Sequence, residues 1–168
     1  MTSLPLDIMT EGPDAASSVE KLHERAFGPG RFARSAFRLR EGVPHIDDLS
    51  FVARVGTFLV GSVRVSPIAI GGTPALLLGP LTVEPAFMNR GIGSALMDRA
   101  LAAAEAAGHR LVLLVGDEPF YARSGFKRIA PGRVRMPGPV DPNRVLIREL
   151  VAGAFEGVSG DAEAYRTP

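Results

Sequence analysis

Apolar positions along the chain change their spacing several times, and each change marks an element. Val19, Leu22, Ala26 and Phe27 recur at helical spacing behind Ser17 and Ser18. This predicts a serine-capped helix, ended by Gly28-Pro29-Gly30. Phe32, Ala36, Phe37 and Leu39 predict a second short helix, closed by Gly42 and Pro44. From Leu49 the pattern becomes that of strands. Phe51–Val55, a turn at Gly56-Thr57 and Phe58–Ile70 read as an antiparallel hairpin, and Gly71-Gly72 leads into a third strand over 75–83. The longest amphipathic stretch is 92–107, with Leu96, Ala100, Ala103 and Ala107 on one side, Met97, Leu101 and Ala104 beside them, and Gly108 as its stop. Leu111–Val115 is an unbroken apolar run of strand length, as a strand buried on both faces requires. Residues 118–124 make one or two helical turns, and 145–150 form a last strand. Residues 4–9 alternate weakly and suit an edge strand. The end of the chain, 152–168, offers little core-forming material and is expected as a loose helix or disordered tail behind a single domain, 1–151.

Composition narrows the function classes. The chain has 168 residues, 46% hydrophobic and 22% charged, the balance of one folded α/β domain. Nineteen basic residues against eighteen acidic ones leave a net charge of +1, which argues against a nucleic-acid partner. There is no cysteine, so disulfides, zinc–thiolate sites and cysteine nucleophiles are excluded, and no metal is expected. The N-terminal residues lack a basic start followed by an apolar run, and no stretch approaches the roughly 18 apolar residues of a membrane span. The expectation is a soluble, cytoplasmic protein with no membrane partner.

The candidate chemistry begins where a strand runs into a turn that opens the long helix: Leu81-Thr82-Val83-Glu84-Pro85, then Asn89-Arg90-Gly91-Ile92-Gly93-Ser94. The first turn of a helix leaves four amide N–H groups without intrahelical acceptors, and the dipole adds positive character. Glycines at 91 and 93 keep side chains away from those amides, and Arg90 adds a cation. Such a turn suits a pyrophosphate. Taken alone, an R-G-x-G stretch is equally well a tight turn. No Lys-Ser or Lys-Thr pair follows the glycines, which excludes a P-loop, and the upstream meander speaks against a dinucleotide fold.

After the apolar run come Phe120-Tyr121-Ala122-Arg123-Ser124-Gly125-Phe126. With L-x-V-x-P at 81–85, R-G-I-G-S-A-L at 90–96 and F-Y-x-x-x-G-F at 120–126, the chain resembles the GNAT superfamily of N-acetyltransferases, in particular its bacterial YhbS-like branch. The resemblance spans residues 49–129. It implies a mixed, mostly antiparallel sheet of about six or seven strands, splayed at the cofactor site, with helices on both faces. It also implies acetyl-CoA as co-substrate, bound by backbone groups of Leu81 and Val83 along the pantetheine arm. Met88, Asn89, Arg90, Gly91, Ile92, Gly93 and Ser94 would surround the pyrophosphate. Tyr121 matches the tyrosine that protonates the departing thiolate. A phenol with a pKa of roughly 10 carries its proton at neutral pH, and a backbone N–H such as that of Val83 suits the carbonyl oxygen as it gathers charge.

Three positions depart from the family pattern. Met88 stands where Gln or Arg is common, Leu114 where an asparagine often touches pantetheine, and Leu77 where some members carry a glutamate base. Glu84 is the leading replacement base. His45 and Asp48 lie in a segment suited to the acceptor groove, and a water chain is a third route for the proton. Acceptor contacts are expected from 27–48, from 69–74 and from the stretch after Phe126. There Arg31, Arg34, Arg38 and Arg40 form either a solvated face or an anion site. The implied activity is acetyl transfer to a primary amine of a small molecule or protein by direct attack; the rival class is a non-catalytic acyl-CoA sensor or assembly module. The resemblance allows a homodimer. Acceptor, acyl length, base and oligomeric state are not written in the sequence.

Overall fold

The computed structural model describes residues 5–27 and 35–165. The expected helix stop at 28–30, and Arg31, Phe32 and Arg34, lie outside the described residues.

The chain opens with strand β1 (Leu6–Thr10), then helix α1 (Ala16–Phe27) and the single turn α2 (Ser35–Arg38). The meander follows as β2 (Phe51–Val55), β3 (Phe58–Ile70) and β4 (Thr73–Val83). Next come the long helix α3 (Ile92–Ala106), β5 (Leu111–Val115), the short helix α4 (Glu118–Ala122), β6 (Lys127–Arg128), β7 (Val134–Arg135), β8 (Val145–Glu149) and β9 (Gly160–Ala164). Strands line up as β1-β2-β3-β4-β5-β8-β6, with β9 beside β3 and β7. All pairings are antiparallel except β4–β5 and β7–β9.

Period-two alternation separates the two faces. On one, Ala53, Val63, Val65, Leu76, Val112 and Leu114 meet Ile92, Leu96, Met97, Ala100 and Ala104 of α3. On the other, Ile68, Ile70, Leu77, Leu111 and Leu113 pack under Leu39 and the C-terminal residues Phe155, Val158 and Ala162. Val52 meets Val19 of α1 on that second side. Helices therefore flank the sheet on both faces, and β5 is buried on both, as its apolar run requires.

Three expectations differ from the structure. Ser17 and Ser18 do not cap α1; the chain enters through a 3-10 turn at Pro13–Ala15, which puts both serines inside the helix and exposed. Nine strands are described rather than six or seven, because β6, β7 and β9 lack a periodic signature. The segment expected as a loose tail is built into the sheet. β9 pairs with Ile68, Ala69 and Ile70 of β3. The Phe155 N–H bonds to Glu149 Oε2 at 2.9 Å, and the Arg133 guanidinium lies 3.7 Å from the Phe155 ring centre. Among the described residues no helix is long and apolar enough to cross a membrane.

Candidate active site

The sheet opens between β4 and β5. These two parallel strands pair only at Leu76–Val112 and Leu77–Leu113. Beyond Leu77, β4 runs on to Val83 with β3 on one side and, among the described residues, no strand on the other. The unpaired edge leaves backbone N–H and C=O groups available to an extended ligand, much as an edge strand is available to another strand. A cavity of about 940 Å³ occupies this opening. Leu78, Gly79, Pro80 and Leu81 form one wall, and Gly116, Asp117, Phe120 and Tyr121 the facing one.

At the far end of β4 lies the glycine turn. Among the described residues, no backbone hydrogen bond engages the N–H groups of Asn89 to Ser94. The first helical bond runs from the Ala95 N–H to the Gly91 carbonyl at 3.0 Å. Six amides without backbone acceptors at the positive end of a 15-residue helix have the character that suits an anion. Asn89 (φ 64°) and Gly91 (φ 78°) both take the left-handed conformation, which turns the chain sharply into the helix. Gly91 is needed for that φ rather than for space, since a Cβ there would meet nothing within 4 Å. Gly93 meets Val83 and Phe120 at ordinary contact distance. A Cβ at Gly93 would fit there, so neither steric room nor a left-handed φ requires glycine at this position. Arg90 rests over the Phe87 ring at 5.2 Å, and Met88 is exposed beside it. Ile92 is buried in the core, so any part it takes in binding is through its backbone.

Tyr121 stands on the β5 side of the opening. Its ring is held edge-on by Phe120 and Phe126, with centres 4.9 and 6.1 Å away. Gly116 makes room for it: a Cβ there would lie 2.3 Å from Tyr121 Cε2. Burial raises the phenol above its ordinary pKa, with Arg144 pulling it down and Asp117 pushing it up by smaller amounts. The hydroxyl thus keeps its proton throughout the neutral range.

Of the other predicted residues, Leu81 borders the cavity, whereas Val83 packs against Gly93 at the helix start. Glu84 does not border the cavity; its carboxylate receives a hydrogen bond from Arg25 at 2.8 Å. Leu77 and Leu114 are core residues. Asp48 is exposed outside the cavity, and Arg38 donates to the Pro137 carbonyl at 3.0 Å. Arg40 and His45 line the cavity.

The remaining wall was not legible in the chain. Arg64 of β3 donates to both oxygens of buried Glu11, at 3.0 and 2.8 Å, and to Glu20 at 2.7 Å. Burial works against the guanidinium's charge, but these two carboxylates outweigh it and raise its pKa. His23 of α1 sits over this group, and burial, then the Arg64 charge, lower its pKa to about 4. Arg144 approaches from the start of β8, where the Gly116 N–H bonds to its carbonyl at 2.9 Å. These residues come from four distant segments, and no local spacing announces their meeting. Only Gly116, a glycine at the end of an apolar strand just ahead of the Tyr121 motif, carried a readable signal.

Comparison with known proteins agrees with this geometry. A family model described as an acetyltransferase (GNAT) domain matches residues 47–128. A search of curated proteins gives no match. Among solved structures, the GNAT family N-acetyltransferase YhbS of Escherichia coli, in complex with CoA, superposes with a TM-score of 0.82 at 25% identity, covering 98% of this chain and 92% of that one. A GNAT family acetyltransferase of Brucella melitensis, in complex with acetyl-CoA, gives 0.60 at 29% identity, covering 92% and 100%. A GNAT acetyltransferase of Staphylococcus aureus gives 0.62 at 15% identity, covering 88% and 100%, a likeness of fold alone.

Proposed function

The chain belongs to the GNAT family of acetyltransferases, and from that premise we propose that it moves an acetyl group from acetyl-CoA to a primary amine by direct attack. The observation that carries the reading is the opening between β4 and β5, flanked by the amide-rich turn at one end and by Tyr121 on the facing wall. The site fits the co-substrate: an unpaired strand edge for an extended arm, six amide groups at a helix start for a pyrophosphate, and a cavity ample for both the acyl end and an acceptor.

In this reading the amides of Asn89 to Ser94, with Arg90 alongside, hold the anionic end. Leu81 and Val83 offer main-chain groups along the open edge of β4. When bound, acetyl-CoA supplies the activated acetyl group. The chain's own work is positioning and proton handling. Main-chain N–H groups of β4 meet the carbonyl oxygen as charge gathers there, and Tyr121 donates its proton to the leaving sulfur. The lack of cysteine agrees with transfer that needs no acyl-enzyme. The acceptor is an amine of a small molecule or a protein, and the protein acts in the cytoplasm.

The test is release of CoA thiol from acetyl-CoA in the presence of a panel of primary amines, with wild type and Tyr121→Phe side by side. Wild type turns over. Tyr121→Phe loses on the order of 10²–10⁴ in kcat while binding acetyl-CoA as before. A chain that binds acetyl-CoA yet releases no thiol with any amine would instead be a sensor.

A further inference from the structure

An amine acceptor reaches a neutral solution mostly as an ammonium, and its nitrogen must lose a proton before it can attack. The candidates for taking that proton can be sorted by position. Glu84 is bonded to Arg25 and is not among the residues lining the cavity. His23 lines the cavity, but an imidazole with a pKa near 4 is too weak a base for an alkylammonium. His45 differs from both. It lines the cavity with about a fifth of its side chain exposed, and its Nε2 lies 3.2 Å from Asp47 Oδ1 and 3.5 Å from Glu11 Oε2. The contact is one of charge proximity rather than an aligned hydrogen bond. Glu11 is fixed in turn by both its oxygens on Arg64. The His45 segment is fastened to β3 by a 2.8 Å bond from the Ile46 N–H to the Val65 carbonyl.

Resting on the acetyl-transfer reading above, we propose that His45 takes the first proton from the incoming ammonium, with Glu11 and Asp47 as positioning residues. Nε2 is the nitrogen turned toward the two carboxylates, which leaves Nδ1 as the one to meet the ammonium. The other charged or titratable groups of this wall are Arg64 from β3, Glu20 and His23 from α1, and Arg40. Glu11 and Glu20 offset Arg64 and Arg40 in formal charge, and Asp47 adds a further carboxylate beside His45. The protons balance. His45 passes the first one to solvent. The nitrogen–carbon bond forms as the carbon–sulfur bond breaks, Tyr121 protonates the thiolate, and the second nitrogen proton restores Tyr121.

The experiment is kcat and KM for His45→Gln and Asp47→Asn with the best alkylamine of the panel, from about pH 7 to about pH 9, well on the way to the amine's own pKa. At the low end His45→Gln loses on the order of 10²–10⁴ in kcat, with the acetyl-CoA KM unchanged. Its deficit then shrinks by about tenfold per pH unit as the free amine becomes available. Asp47→Asn, at a side chain that is 74% exposed, keeps the fold, shows a smaller loss and recovers in the same way. A deficit in both variants that stays constant with pH would mean a packing role, and no deficit would mean that the proton leaves by another route; either overturns the proposal. If wild type itself releases no thiol with any amine, the acetyl-transfer reading fails first and this proposal falls with it.

Discussion

At the scale of single residues, burial sets the ionisation of side chains that line the cavity. His23 is the clearest case. Its pKa falls from 6.5 to about 4 in the folded protein. Between those values the unfolded chain holds more protons than the folded one, so stability is fully present above pH 6.5 and drains away as the pH falls toward 4. The whole effect is on the order of 3 kcal/mol. Urea unfolding across this range should give a steeper pH dependence for wild type than for His23→Gln; parallel curves would mean that His23 is solvated. Residue-scale placement was unevenly legible. Tyr121 and the glycine turn stand in local motifs that can be read directly. The Arg64–Glu11–Glu20 group cannot, because its members are separated by 44 and 53 positions and are joined only by the sheet. Glu84 looks well placed at a strand end until Arg25 is seen to occupy it.

At the scale of elements, long periodic segments were legible and short paired ones were not. The meander β2–β4, helix α3 and the buried strand β5 follow from hydrophobic spacing to within a residue or two. β6 and β7, two residues each, are too short to show a period. β9 reads Gly-Asp-Ala-Glu-Ala, a sequence of poor strand propensity held extended by pairing with β3. The tail's contribution can be measured through Phe155, which is buried under Arg133. Phe155→Ala is expected to cost about 3 kcal/mol in chemical denaturation. A loss close to zero would mean that the C-terminal segment is not packed on the sheet in solution.

At the scale of the whole molecule, function rests on one topological fact. Two parallel strands pair at two positions and then part; a protonated phenol and a histidine beside two carboxylates line the gap, and a helix start with unbonded amides packs against Leu81 and Phe120 at its edge. The gap itself was legible only through family resemblance, since no residue pattern says where two strands will separate. Its occupant is the most direct thing to measure. Thermal unfolding with acetyl-CoA at about a hundred times its Kd should gain roughly 2.7 kcal/mol, raising Tm by about 5–10 °C for a chain of this size, with no rise from NAD. An unchanged Tm at millimolar acetyl-CoA, or an equal rise with NAD, would contradict the assignment of the gap as an acetyl-CoA site.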